Sequence, residues 1–455
     1  MHSWHRRVVT RNLLPMKKPG STAKVLNKRP SRTIDKLTGQ NLKSHSYATQ
    51  KITEWVWEDH LAPAVVFLTD DIVCLGGMSA SLTVMDFLSR RALYRCKRDA
   101  NAEAKAEFEA ANSPNLLNPL RRAGESSNEA LTRHAERLRA TLCYEALTLS
   151  PDATLLAGSR ESCGELGQNY GEIDIWDMLD SLSPRLETTI PHKGSSLYLG
   201  QHVLAGPICA FLPGSDHVIV EDSALRSCPS RICIVEPRTG VPIKHIPPKR
   251  SPFNAAGSSF PPVRWLERIV PHPHEAEVAV RRVSSPMHAG WEIHSLSRAR
   301  RMRTADWLGS GLVHVLPGTD RVLCCGNRTF QANEPPSLEV WDWSGSKIQS
   351  TPTSRAYPNL ITTSADNRFI VVVSTSTHVG RLSDWTAMAR ERNDMLVEVF
   401  SLKDLKMLGQ AHLQLGKPLA ARVTPSGQIR LVSYVRFVPF NLIQCRLTFW
   451  TIDIT

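Results

Sequence analysis

The chain has 455 residues, 42% of them hydrophobic and 22% charged, the composition of a soluble globular protein with room for one large repeat domain or two to three ordinary ones. No window approaches the roughly 18 apolar residues of a membrane span, and the N-terminus lacks the apolar run of a signal peptide, so neither a membrane span nor secretion is indicated and the chain is expected inside the cell. The net charge of +12 is concentrated at one end: residues 1–50 carry eleven Lys and Arg against Asp35 alone, a net of +10, and leave 44 basic against 42 acidic residues in the remainder.

Residues 1–50 read as an arm that is too polar and aperiodic to fold alone and is attracted to phosphate backbones or other acidic surfaces. Arg6, Arg7, Arg11, Lys17 and Lys18 are its leading contacts, and Pro15, Pro19-Gly20 and Pro30 keep it extended. Its first 34 residues hold no acid, which also suits a mitochondrial presequence, but Trp4, Val8, Val9, Leu13 and Leu14 do not gather on one helical face. The cytoplasm is therefore the first assignment and the mitochondrion the second.

The body, residues 51–455, opens on Ile52-Thr53-Glu54-Trp55-Val56-Trp57-Glu58, a strand signal with no hairpin partner beside it. A six-residue pattern then recurs seven times, closing on Met85, Trp176, Val235, His294, Trp341, Phe400 and Trp450. The residue before each is apolar (Val84, Ile175, Ile234, Ile293, Val340, Val399, Phe449), as is the one three before (Leu82, Ile173, Ile232, Trp291, Leu338, Val397, Leu447). The position between is mostly polar: Thr83, Asp174, Cys233, Glu292, Glu339, Glu398, Thr448. Such alternation marks a strand, and its polar side is expected to be the less buried one. A Pro/Asp/Gly turn precedes an apolar run at Pro151-Asp152, Pro213 to Asp216, Pro317 to Asp320, Ala365-Asp366 and Pro425 to Gly427, more weakly at Asp70-Asp71, and least regularly in the fourth repeat around Pro271 to Val280.

Each repeat thus reads as four strands, the last repeat stops at its third, and Ile52 to Glu58 can fill the vacancy and close a ring. Residues 98–141 form the largest insertion, with a helix over Asn101 to Ala111 and a second starting at Ser126 or Ser127 that presents Leu131, His134 and Leu138 on one side. Further long loops are expected at Ser159 to Gly171, Gly326 to Ser337, Thr375 to Met395 and Val435 to Gln444. Topology sends them, and the insertion, to one face. Phe330, Tyr434, Phe437 and Phe440 lie at or beside them as candidate contacts.

With Trp176-Asp177 and Trp341-Asp342 at the end of the repeated strand and Ser-Pro-Asp turns before the second, the chain resembles WD40-type β-propellers over residues 52–455. Kelch and quinoprotein-like propellers share the coarse pattern. The matching strands are 91, 59, 59, 47, 59 and 50 residues apart, wider than the roughly 40 to 45 of a tight repeat, and the family's Gly-His dipeptide is missing. The expected fold is all-β, a divergent seven-bladed propeller closed by an N-terminal strand, with a helical insertion between blades 1 and 2.

No motif assigns a catalytic, cofactor or metal site. His272-Pro273-His274-Glu275 is the most ligand-like cluster and reads as a polar turn, the ten cysteines show no CxxC spacing and read as thiols, and Gly309-Ser310-Gly311 precedes a strand instead of opening a helix. Arg298, Arg300, Arg301 and Arg303 fall on the outer strand of blade 4 and its turn, a solvated rim or a phosphate contact. The leading expectation is a non-catalytic propeller that binds other protein subunits in a larger assembly. The alternatives are a ribonucleoprotein component whose arm follows RNA and a propeller enzyme with a site in the central channel.

Overall fold

The computed structural model describes residues 45–57, 63–77, 81–96, 101–102, 104–105, 109, 124–141, 143–163, 169–192, 209–222, 231–246, 265–285, 288–309, 311–326, 336–354, 357–375, 394–413, 416–437 and 444–454. They fall in one compact unit, Ser44–Thr455, built of seven antiparallel sheets. Blade 1 comprises Ala64–Phe67, Ile72–Gly76, Leu82–Asp86 and Ala92–Cys96. Blade 2 follows with Cys143–Leu149, Leu155–Cys163, Asn169–Asp177 and Arg185–His192. Blade 3 is Cys209–Phe211, Val218–Asp222, Arg231–Val235 and Pro242–Ile246, and blade 4 is Trp265–Pro271, Glu277–Ser285, His288–Ser295 and Arg300–Thr304. Blade 5 holds Leu312–Val315, Arg321–Gly326, Ser337–Asp342 and Lys347–Pro352; blade 6 holds Tyr357–Thr363, Phe369–Thr375, Met395–Ser401 and Met407–Leu413. Blade 7 has three consecutive strands, Lys417–Val423, Gln428–Phe437 and Gln444–Asp453, and takes Thr49–Trp57 as its fourth. The first strand of each blade touches that of the next, and the first strand of blade 7 touches that of blade 1, so the ring is closed.

Why these seven strands recur is visible in the packing. Seven apolar clusters fill the seven gaps between neighbouring blades. In every third strand the residues one and three before the repeat's closing position enter the gap to the following blade, as Ile173 and Ile175 do towards blade 3. The closing residue itself turns the other way: Trp176 packs against blade 1, Trp341 against blade 4, Phe400 against blade 5 and Trp450 against blade 6. Period-2 alternation therefore divides each strand between two cores, and both faces are buried. This corrects the expectation of one shallower face. Thr83, Asp174, Cys233, Glu292, Glu339, Glu398 and Thr448 are all buried.

The Pro/Asp turns fold as their composition dictates. In blade 2 the Ser150 hydroxyl donates to Asp152 Oδ1 (2.6 Å) and accepts from the Leu155 N–H (2.9 Å); in blade 6 Ser364 does the same with Asp366 (2.6 Å) and Phe369 (3.0 Å). Ala153 and Asn367 take the left-handed backbone that such turns require, at φ 59° and 54°. Blade 4, expected to be the least regular, is a complete four-stranded sheet.

Closure joins residues far apart in sequence. Thr49–Trp57 pairs antiparallel with the last strand, placing Trp55 opposite Leu447 and Lys51 opposite Trp450. Across the same junction Arg422 Nε reaches Asp70 Oδ1 at 2.5 Å, and Arg430 binds the Asp71 carboxylate and the Asp70 carbonyl while lying over the Phe87 ring, 5.5 Å from its centroid. The propeller also takes in residues that the sequence reading left in the arm. Thr49 and Gln50 belong to the closing strand, and His45–Ser46 adds a fifth, parallel strand outside Met407–Leu413 of blade 6. His-Ser-Tyr-Ala-Thr has no alternation of its own; the partner edges impose the strand.

The insertion contains helix α1, Ser127–Thr141. It starts where a Ser-x-x-Glu sequence predicts: the Glu129 carboxylate accepts from the Ser126 N–H (2.9 Å) and the Ser126 hydroxyl from the Glu129 N–H (3.3 Å). Ala130, His134 and Ala135 are buried, and Leu131 packs with Ala104 and Ala135 on the blade 1–2 core, so this side of the helix belongs to the propeller. Leu138's side chain lies outside the described residues. Among the described residues no helix is long and apolar enough to cross a membrane.

Candidate interaction surface

The residues singled out from sequence have separate fates. Arg6, Arg7, Arg11, Lys17, Lys18, Phe330 and Phe440 lie outside the described residues, as does the side chain of Phe437. The second strand of blade 7 runs through Phe437, so Phe437 lies in the strand and not in the loop expected from Val435, and Tyr434 packs, half-buried, on the blade 7–1 core. In blade 4, Arg301 pairs with Glu292 (3.2 Å) and Arg303 donates to the Trp343 carbonyl of blade 5 (2.6 Å); Arg298, Arg300 and Arg303 are exposed. His272 is a turn residue. Its Nδ1 accepts from the N–H groups of His274 (3.1 Å) and Glu275 (2.8 Å), and its ring stands edge-on to Trp343 at 4.7 Å. Cys74, Cys96, Cys209, Cys233, Cys324 and Cys325 are free thiols.

The buried polar clusters lie between strands and, in blades 2, 4 and 5, tie together the strands of one blade. In blade 2 the buried Asp174 carboxylate accepts from Tyr144 Oη (2.7 Å), Arg160 Nε (3.0 Å) and Thr189 Oγ1 (2.8 Å), one partner from each of the other three strands. Trp176 Nε1 donates to Tyr144 Oη (3.0 Å), and burial, reinforced by the Asp174 charge, pushes the tyrosine well above its usual range. The Tyr144 ring fits because Gly158 has no side chain; a Cβ there would lie 2.5 Å from Tyr144 Cε1. In blade 4 Glu292 binds Arg282, His294 and Arg301, each at 3.2 Å. Burial alone would raise its carboxyl, but the His294 hydrogen bond and the two arginine charges hold it down at about 2. Glu339 accepts from Trp341 Nε1 (2.9 Å) and Lys347 (3.2 Å), and Glu398 from the Ser354 N–H (3.1 Å) and hydroxyl (2.6 Å). These carboxylates, which lie at the same repeat position, are spent on cross-strand pinning.

The outer rim differs. Every fourth strand carries a β-bulge opposite the last two positions of the repeat pattern, leaving Ile52, Leu93, Glu187, Ile243, Met302, Ile348 or Leu408 without a partner across the ladder. A bulge re-aims the side chain it carries, and six of these seven are large and apolar. In blade 6 the bulge residue is not left exposed: Leu408 and Tyr47, the residue after His45–Ser46, are both partly buried against the blade 6–7 core. Leu93, Ile243, Met302 and Ile348 stay exposed.

Exposure is heaviest on three adjacent blades. All nine exposed large apolar residues among the described ones lie on a fourth strand or the turn before it, and seven belong to blades 1 to 3: Leu88, Leu93, Leu179, Leu182, Leu186, Val241 and Ile243. They are 39 to 72% exposed, Leu179 most. The three rims are joined, since Tyr94 Oη donates to the Pro184 carbonyl (3.2 Å) and Arg238 pairs with Asp177 (3.7 Å). Large apolar side chains gathered on adjoining rims in this way mark a contact site more often than single scattered ones do. Sequence reasoning did not single it out: Leu88, Leu179, Leu182 and Val241 lie in short turns, and Leu93, Leu186 and Ile243 lie in outer strands whose exposure depends on which edge the ring leaves uncovered.

A scan against protein-family models finds no match, and a search of curated proteins finds none either. The geometry of the chain itself therefore carries the functional reading.

Proposed function

We propose that this seven-bladed propeller is a non-catalytic platform for protein–protein interaction, with the outer rim of blades 1 to 3 as its principal contact surface, and that it is a divergent relative of the WD40-type propellers. One observation carries the reading: seven large apolar side chains stand exposed on three adjoining rims, where ring stability has no use for them. The buried carboxylates of blades 2, 4, 5 and 6 add support, because each is engaged in holding strands together. The WD40 relation rests on the Trp-Asp pairs at Trp176 and Trp341 and on the Ser-Pro-Asp turn at Ser150.

The test is a double substitution, Leu179→Asp with Leu182→Asp, in the full chain. Both side chains are exposed, so the propeller should melt as the parent does, while its co-elution with high-mass species on size exclusion of cell extract should disappear. An unchanged elution profile for a folded variant would refute the platform reading at this surface.

A further inference from the structure

We draw no further inference here: the strongest candidate, the row of exposed arginines Arg298, Arg300 and Arg303 on the outer strand of blade 4 and the turn before it, is offset by the carboxylates of Glu277, Asp306 and Asp342 close by, and nothing in the structure shows what covers it.

Discussion

Replacing Asp174 with alanine should be among the most damaging single changes in the ring. Asp174 is fully buried and Arg160 is 2% exposed, so the substitution leaves the guanidinium with Glu172, itself 29% exposed, as its remaining carboxylate. It also strips acceptors from Tyr144 Oη and Thr189 Oγ1. Breaking a buried ion pair from one side costs about 3–5 kcal/mol, most of it the uncompensated charge. With an unfolding entropy of about 2.1 cal/mol/K per residue over roughly 400 residues, a loss of about 4 kcal/mol lowers Tm by about 5 °C. Thr189→Val removes one neutral donor to the same carboxylate and should cost only about 1 kcal/mol, or about 1 °C. Differential scanning calorimetry of the two variants and of Arg160→Met/Asp174→Leu gives the comparison. The double variant should recover a large part of the loss, because it removes the stranded charge. If Asp174→Ala melts within 1 °C of the parent, or no higher in cost than Thr189→Val, the carboxylate is not the hub that its contacts describe.

Two further outcomes follow from the ring. Deleting residues 1–58 should lower Tm far more than deleting 1–43, since only the first removes the strand that pairs with Gln444–Asp453 and exposes that edge; equal melting of the two would contradict closure by Thr49–Trp57. Acid should destabilise the protein in two windows. Burial holds His314 down at about 4, so as pH falls from about 6.5 the unfolded chain takes up a proton that the folded one refuses, and stability declines towards pH 4. Glu292, held at about 2, contributes stability above its ordinary value of 4.5 that is lost as pH falls through about 2, roughly 3 kcal/mol in all. His314→Gln should flatten the upper window and Glu292→Gln the lower in urea titrations across pH; a profile unchanged by either would remove that residue from the account.

The blades were legible because one strand pattern recurs with two apolar positions that face the following blade in every copy, and a repeated local signal survives variable spacing. The closing strand was legible from a vacancy: a last repeat one strand short and a lone strand at the other end. The polar middle position was misread, since a single chain cannot show whether Glu339 or Asp174 alternates outward to water or inward to Trp341, Tyr144 and Arg160. His45–Ser46 carried no signal at all, being a strand only because Gly409 and Gln410 offer an edge. The apolar rim was hidden for the opposite reason. Leu186 and Ile243 sit in strands that read like any other, and which strand the assembled ring leaves uncovered is not a property that local sequence encodes.

Ring closure also fixes the order of events during synthesis. Trp57 leaves the ribosome early and its partner Cys445 comes 388 positions later. At about 5–20 residues per second the first strand waits roughly 20 to 80 s for its mate. Throughout that interval the nascent chain carries an unpaired strand with two tryptophans, and blades 1 to 6 can stack behind an open end. Gln444–Asp453 thus locks a strand made long before it, and a ribosome that stalls before Gln444 leaves six complete blades and a ring that cannot shut.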